Sequence, residues 1–217
     1  MKGLFIKDFF LAFRNSRNLV VFTAVCLIMS LSMDPAFGVG YGILLLGTVA
    51  LGTLTHDEYD NGFPFLMSLP INAKTYVREK FLFCFLAELI GGAVGVLFSV
   101  LACFIRKQPV VLGNYLSFVA GMLPAMFLML ALMIALQLKF GVEKSRLIML
   151  IVYGGFAGIA VFIGTQQEAF LPKLPGLVAF LQGHSPVLLV SVLLLIFLLL
   201  VGLLYRVSVR IIENKEF

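Results

Sequence analysis

The sequence predicts an all-α polytopic membrane protein: six transmembrane helices, an amphipathic helix ahead of the first, and a polar cytoplasmic segment between the second and third. Three observations carry this. Hydrophobic residues make up 61% of the chain and charged residues 12%, against about 45–50% and about 25% in a typical soluble domain. Several apolar runs approach or exceed the roughly 18–20 residues that cross a bilayer. The charges fall mostly between those runs, and they favour one side. No polar stretch is long enough to fold alone, so residues 1–217 read as a single transmembrane domain.

Residues 1–18 precede the first span. At helical spacing Phe5, Ile6, Phe9, Phe10 and Phe13 gather on one side, and Lys7, Asp8 and Arg14 on the other. This is the pattern of an interfacial helix with a basic wet face. A basic start followed by the apolar run Leu19–Met33 also fits a signal peptide. No A-x-A-like cleavage site follows and five more apolar segments do, so the run reads as an uncleaved anchor.

The spans are expected at about 19–33, 38–55, 81–104, 115–138, 147–164 and 186–205. Asp34-Pro35 makes a tight turn between the first two. The links at 105–114 and 139–146 are short, and the second is basic. The link 165–185 is semi-apolar, with Leu174, Leu177, Val178 and Leu181 at helical spacing; it is too short and broken to span, and reads as a helix on the outer leaflet. With the N-terminus inside, thirteen of the sixteen Lys and Arg residues fall on one side, leaving Arg106, Lys107 and Lys173 on the other. That bias places both termini, and the segment 56–80, in the cytoplasm. It also accounts for the net charge of +5 without a nucleic-acid partner.

Few residues offer chemistry. Cys26, Cys84 and Cys103 lie in apolar runs without metal-ligand or CxxC spacing and read as small buried hydrophobes. His56 and His184 fall on opposite sides of the membrane. The string G-V-E-K-S at 141–145 lacks the glycines of a phosphate-binding loop and sits between spans. No catalytic, metal or cofactor-binding residues are expected, and no nucleotide hydrolysis is expected of this chain by itself. Glu88 is the single charge well inside a span. Either it is paired or protonated near the span's end, or it belongs with Gly91 and Gly95 to a translocation path or subunit seam. Ala87, Gly91 and Gly95 form a four-residue ladder of small side chains, as do Gly154 and Gly158. Such ladders let helices approach closely, within a chain or between chains.

The segment Thr55–Lys80 is the longest polar interruption, with Asp57, Glu58, Asp60 and Glu79 among its acids. Pro64 suits the first turn of a short helix from Phe63 to about Leu69, which Pro70 stops. Asn72 can cap the next helix through Tyr76 and Lys80 into the third span. The short helix would present Phe63, Phe65, Leu66 and Leu69 behind an acidic rim. It would either fit a cleft on a soluble partner or rest on the inner leaflet.

The string D-E-Y-D-N-G-F-P-F-L-M-S-L-P-I-N-A-K-T-Y-V-R-E-K-F resembles the cytoplasmic segment of small bacterial ABC-2 family permeases. Asp57-Glu58, Ser68-Leu69-Pro70-Ile71 and Lys80-Phe81 match, while Asn72-Ala73 departs from the usual Ser-Arg. The opening M-K-G-L-F-I-K-D-F is also similar. The resemblance implies an ABC-2 type exporter fold and a permease that pairs with a separate ABC ATP-binding subunit, two of each. The partner permease would be a second copy or a similar chain, giving a homodimer or heterodimer in the bacterial cytoplasmic membrane. It implies a coupling helix at 56–80 whose contact residues are Asp57, Glu58, Phe63, Phe65, Leu66, Ser68, Leu69 and Pro70. A path lined by Leu, Phe, Met and Gly would suit a hydrophobic or amphipathic peptide, lipid or drug. A non-transporting immunity, resistance or anchoring protein that docks a cytoplasmic partner is the alternative.

Overall fold

The computed structural model of the chain describes residues 2–14, 16–58, 62, 66, 72–165 and 186–214. Among them the structure is helical: α1 (Lys2–Arg14), α2 (Ser16–Ser32), α3 (Ala36–Glu58), α4 (Ala73–Arg106), α5 (Leu112–Thr165) and α6 (Pro186–Glu213). α5 is one helical run broken at Gly141, whose backbone (φ 81, ψ 171) is not helical. Its limbs, 112–140 and 142–165, stand where the fourth and fifth spans were expected. By length and hydropathy, four of the described helices are fit to cross a membrane, α3, α4, α5 and α6. A fifth follows if α1 and α2, bent by 70° at their junction, form one broken span. The expected count of six divides α5 at its break, and α2 has only 17 residues. The outer link between the last two spans lies outside the described residues.

Each boundary has a local cause. Asp34 Oδ1 accepts the backbone N–H of Ala36 at 2.9 Å and opens α3, as the Asp34-Pro35 turn predicts. Lys107, in the left-handed conformation (φ 55), closes α4 by donating its N–H to the end of the helix. Asn72 stands at the start of α4 with an extended backbone, but its side chain makes no cap bond. Its backbone carbonyl instead accepts the N–H groups of Thr75 and Tyr76 at 2.9 and 3.1 Å. The capping expected of the Asn72 side chain is therefore done by the main chain.

The core is built on α3, which packs chiefly against α4 and then α5. Glycines set the spacing. A side chain on Gly42 or Gly91 would run into the other residue's carbonyl oxygen, and a Cβ on Gly95 would stand 2.6 Å from Val39 Cα and 2.7 Å from Gly38 O. Gly91 and Gly95 are thus used to bring α3 and α4 together within the chain. Ser99 reaches from α4 to the Pro35 carbonyl, and Arg106 to the Leu31 carbonyl at the end of α2. Beside α3, Phe81, Phe85 and Phe127 stack edge-on with ring centres 5.1–6.3 Å apart, and Tyr205 of α6 joins Phe81 at 5.8 Å. The three cysteines are free and buried; Cys26 donates to the Gly38 carbonyl at 3.2 Å, and Cys103 bonds the Tyr115 hydroxyl at 3.0 Å.

Candidate functional site

The last turn of α3 leads into the polar segment 59–71, and the structure gathers an unusual set of side chains around that turn. α1 folds back against α3 and α4. Leu4 and Asp8, one turn apart, face inward and are buried, while Ile6, Phe9, Phe10 and Phe13 are exposed. Most of the aromatic face of α1 therefore points away from the bundle, while Phe5 packs edge-on against Phe83 with ring centres 5.7 Å apart. Asp8, expected on the wet face, is 0% exposed. The correction has a physical reason: a partner cation arrives from 72 residues away, which helical periodicity cannot reveal.

That partner is Lys80, 1% exposed, which pairs with Asp8 and lies 2.7 Å from Asp57 Oδ2. Lys7 bridges the same two acids, pairing with Asp57 and standing 3.0 Å from Asp8 Oδ1. The Tyr76 hydroxyl donates to Asp57 at 2.8 Å. Thr53 donates to Asp8 at 3.1 Å and accepts from Lys80 at 3.2 Å. Two lysines against two aspartates make a neutral set inside the protein. That is the condition under which buried charge is tolerated. Glu79, also buried, has neither carboxyl oxygen hydrogen-bonded among the described residues. One network thus clamps α1, α3 and α4.

Glu58, the next residue, turns the other way. Its Oε1 lies 2.6 Å from where a Cβ of Gly141 would stand, so its carboxylate fills the space at the break in α5. The last turn before the break also meets α3. Gln137 donates to Thr55 Oγ1 at 2.9 Å, and a cleft of about 160 Å³ opens beside them, lined by Thr48, Thr55, Gln137 and Ser145 among others. The two acids read from the sequence as a docking rim therefore touch the bundle: Asp57, 4% exposed, holds α1 and α4, and Glu58 adjoins the α5 break. Leu66 is likewise taken into the core beside Leu54 and Tyr76. Phe63, Phe65, Ser68, Leu69 and Pro70, with the short helix expected there, lie outside the described residues.

Glu88 is buried between α3, α4 and α5. Its side chain adjoins Gly47, and its Oε2 has no hydrogen-bond partner among the described residues. The paired reading of this residue therefore finds no bond to that oxygen. No group of three or more potential ligands fit for a metal occurs among the described residues.

Lys7, Asp8, Thr53, Tyr76 and Gln137 were absent from the expected site. One signal was available. Lys7-Asp8 in the amphipathic helix, and Asp57-Glu58 and Glu79-Lys80 at span ends, are three charged doublets that the Lys and Arg bias puts on one side of the membrane. Charges of both signs converging on one edge invite pairing.

No curated protein and no solved structure matches the chain. A family described as "ABC-2 family transporter protein" matches residues 3–213, nearly the whole chain and every element described above. The resemblance read from Asp57-Glu58, Ser68–Ile71 and Lys80-Phe81 agrees with it. The chain belongs to the ABC-2 transporter family and is a multi-pass membrane permease of that type, whose family implies an ABC ATP-binding subunit as its partner.

Proposed function

We propose that the chain is the membrane subunit of an ABC exporter and that the end of α3 is its coupling node. The observation that carries this reading is the arrangement around Asp57 and Glu58. A push on segment 59–71 arrives first at these two residues. Asp57 is bonded to α1 and α4, and Glu58 adjoins the break in α5. Three helices would then move with one short lever. The partner-facing surface of that lever is Phe63, Phe65, Ser68, Leu69 and Pro70, with Asp57, Glu58 and Leu66 as its root in the bundle.

In this mechanism the ATP-binding pair closes on nucleotide and displaces two such levers. The seam between two permease chains then opens outward. Stable pairing inside the node keeps each lever rigid, because moving Asp57 alone would leave buried charge unpaired. Six spans follow from the six apolar runs, cytoplasmic termini from the distribution of Lys and Arg, and a bacterial cytoplasmic membrane from the resemblance to small bacterial ABC-2 permeases. The cargo is hydrophobic or amphipathic: a peptide, a lipid or a drug. The support is the apolar surface of the helices and the lack of any charge among the described residues lining the cleft beside Thr55 and Gln137.

The test is the ATPase activity of a candidate ATP-binding subunit reconstituted with this chain in lipid vesicles. Wild type is expected to co-purify with the subunit and stimulate it. Phe65→Ala with Leu69→Ala should lose both. Asp57→Asn should keep the complex and lose stimulation. A complex without stimulation by wild type would overturn the transport reading in favour of an anchoring or immunity protein. Absence of any complex would overturn the docking assignment.

A further inference from the structure

At the cytoplasmic end of α6, on the topology proposed above, a groove of about 910 Å³ opens between that helix and the start of α4. Its chemistry is divided along its length. Leu199, Leu203, Arg206 and Arg210 follow one another at helical spacings of four, three and four residues. They form a single stripe on α6, about 16 Å long at about 1.5 Å per residue. The first half is apolar, and Leu199 and Leu203 are well exposed. The second half is basic. Lys74, from the first turn of α4, adds a third cation to the same end of the groove, and Glu213 is the one acid lining it. Both walls are held in register by the Tyr205 hydroxyl, which donates to the Lys74 carbonyl at 3.3 Å. Among the described residues none of the three cations is in a salt bridge, and all three are exposed. Gly202, on the groove side, leaves room where the apolar half meets the basic half.

We propose that this groove is a binding site for an anionic phospholipid, whose acyl chain lies along Leu199 and Leu203 while its phosphate is held by Lys74, Arg206 and Arg210. The match is one of both sign and sequence. Bilayer lipids present apolar chain and charged head in that order along the normal, as the stripe on α6 does. Three cations against one acid leave the head end at +2, which selects anionic over zwitterionic heads. Basic pockets between helices at the cytoplasmic edge recognise anionic heads in this way. The site needs no ATP-binding subunit, so its test is independent of the coupling reading.

The chain contains no tryptophan, which makes Leu203→Trp a single fluorescent reporter inside the groove. The full-length reporter is placed in vesicles containing acyl-brominated phosphatidylglycerol or acyl-brominated phosphatidylcholine at equal mole fraction. Phosphatidylglycerol is expected to quench more strongly, with a relative affinity on the order of fivefold for each cation engaged. Arg206→Gln with Arg210→Gln should bring the two lipids together, while Lys139→Gln with Lys144→Gln should leave the preference unchanged. Quenching of the double variant by phosphatidylcholine reports that it is still folded and inserted, and Leu199→Trp serves as a second reporter. Equal quenching by both lipids in the wild-type background would overturn the proposal. So would protection from both lipids, which would mean a second copy or another protein covers the groove. Loss of the preference in inorganic phosphate but not in chloride at the same ionic strength would mean a free-phosphate site and would overturn it equally.

Discussion

Replacing Lys80 with methionine keeps most of the side chain's volume and removes its charge. The ammonium lies 2.7 Å from Asp57 and also pairs with Asp8. At that distance one contact carries a gross attraction of about 6 kcal/mol at an effective dielectric of about 20. Much of this offsets the cost of drying the groups. The variant reads something else, the penalty of leaving two buried carboxylates with Lys7 as the one remaining cation of the set. Breaking a buried pair in this way costs about 3–5 kcal/mol. For a chain of this size that is a fall in Tm of about 6–20 °C. The three buried free cysteines provide the assay, because a thiol-reactive dye lights up as unfolding exposes them. A double-mutant cycle with Asp8→Asn adds the specific readout. The double variant should be less destabilised than the sum of the single ones by about 0.5–3 kcal/mol. A Lys80→Met protein within about 1 kcal/mol of wild type, or an additive cycle, would refute the claim that these charges clamp α1 to the bundle.

Other perturbations follow from the same coordinates. Gly95→Val puts a side chain against the backbone of Gly38 and Val39, which cannot move aside as a flexible side chain can; the Tm should fall by an amount equivalent to about 1–3 kcal/mol, read in the same thiol assay. Gly141→Ala forces a left-handed conformation and meets Glu58, costing about 1–3 kcal/mol; adding Glu58→Ala should recover the steric part and leave the backbone part. Glu88→Gln keeps the shape of a buried carboxyl with one unbonded oxygen, so melting should be unchanged or higher, and stimulation of the ATP-binding subunit should persist. Transport without ATP that Glu88→Gln abolishes would instead point to a proton-driven carrier.

The helical class and the positions of the long helices were legible because apolar runs of bilayer length leave little choice of fold. The Asp34-Pro35 turn and the close of α4 near Lys107 were legible for a local reason, since turn chemistry depends on adjacent residues. What sequence could not supply was partnership. Nothing near Asp8 distinguishes a solvated acid from one paired with Lys80, and helical spacing alone put it on the wet side. Asp57 and Leu66 were likewise read as surface, because a polar segment suggests exposure until the fold shows what packs over it. The break at Gly141 falls in the 139–146 link read from the sequence. There the helical hydrogen bonding resumes so soon that two expected spans form one run. The glycine ladder was visible as a ladder; that Gly91 and Gly95 meet Gly38, Val39 and Gly42 needed the third dimension.

The separation of Asp8 from Lys80 has a consequence for biogenesis. Lys80 follows Asp8 by 72 positions, and translation proceeds at about 5–20 residues per second. The N-terminal helix therefore waits about 4–14 s after Asp8 is made before the lysine that neutralises it exists, and longer before α4 is inserted. During that interval its aromatic face can rest on the bilayer surface while the acid stays in water. Docking of α1 thus becomes a late step of assembly, and a chain truncated before α4 would leave it undocked.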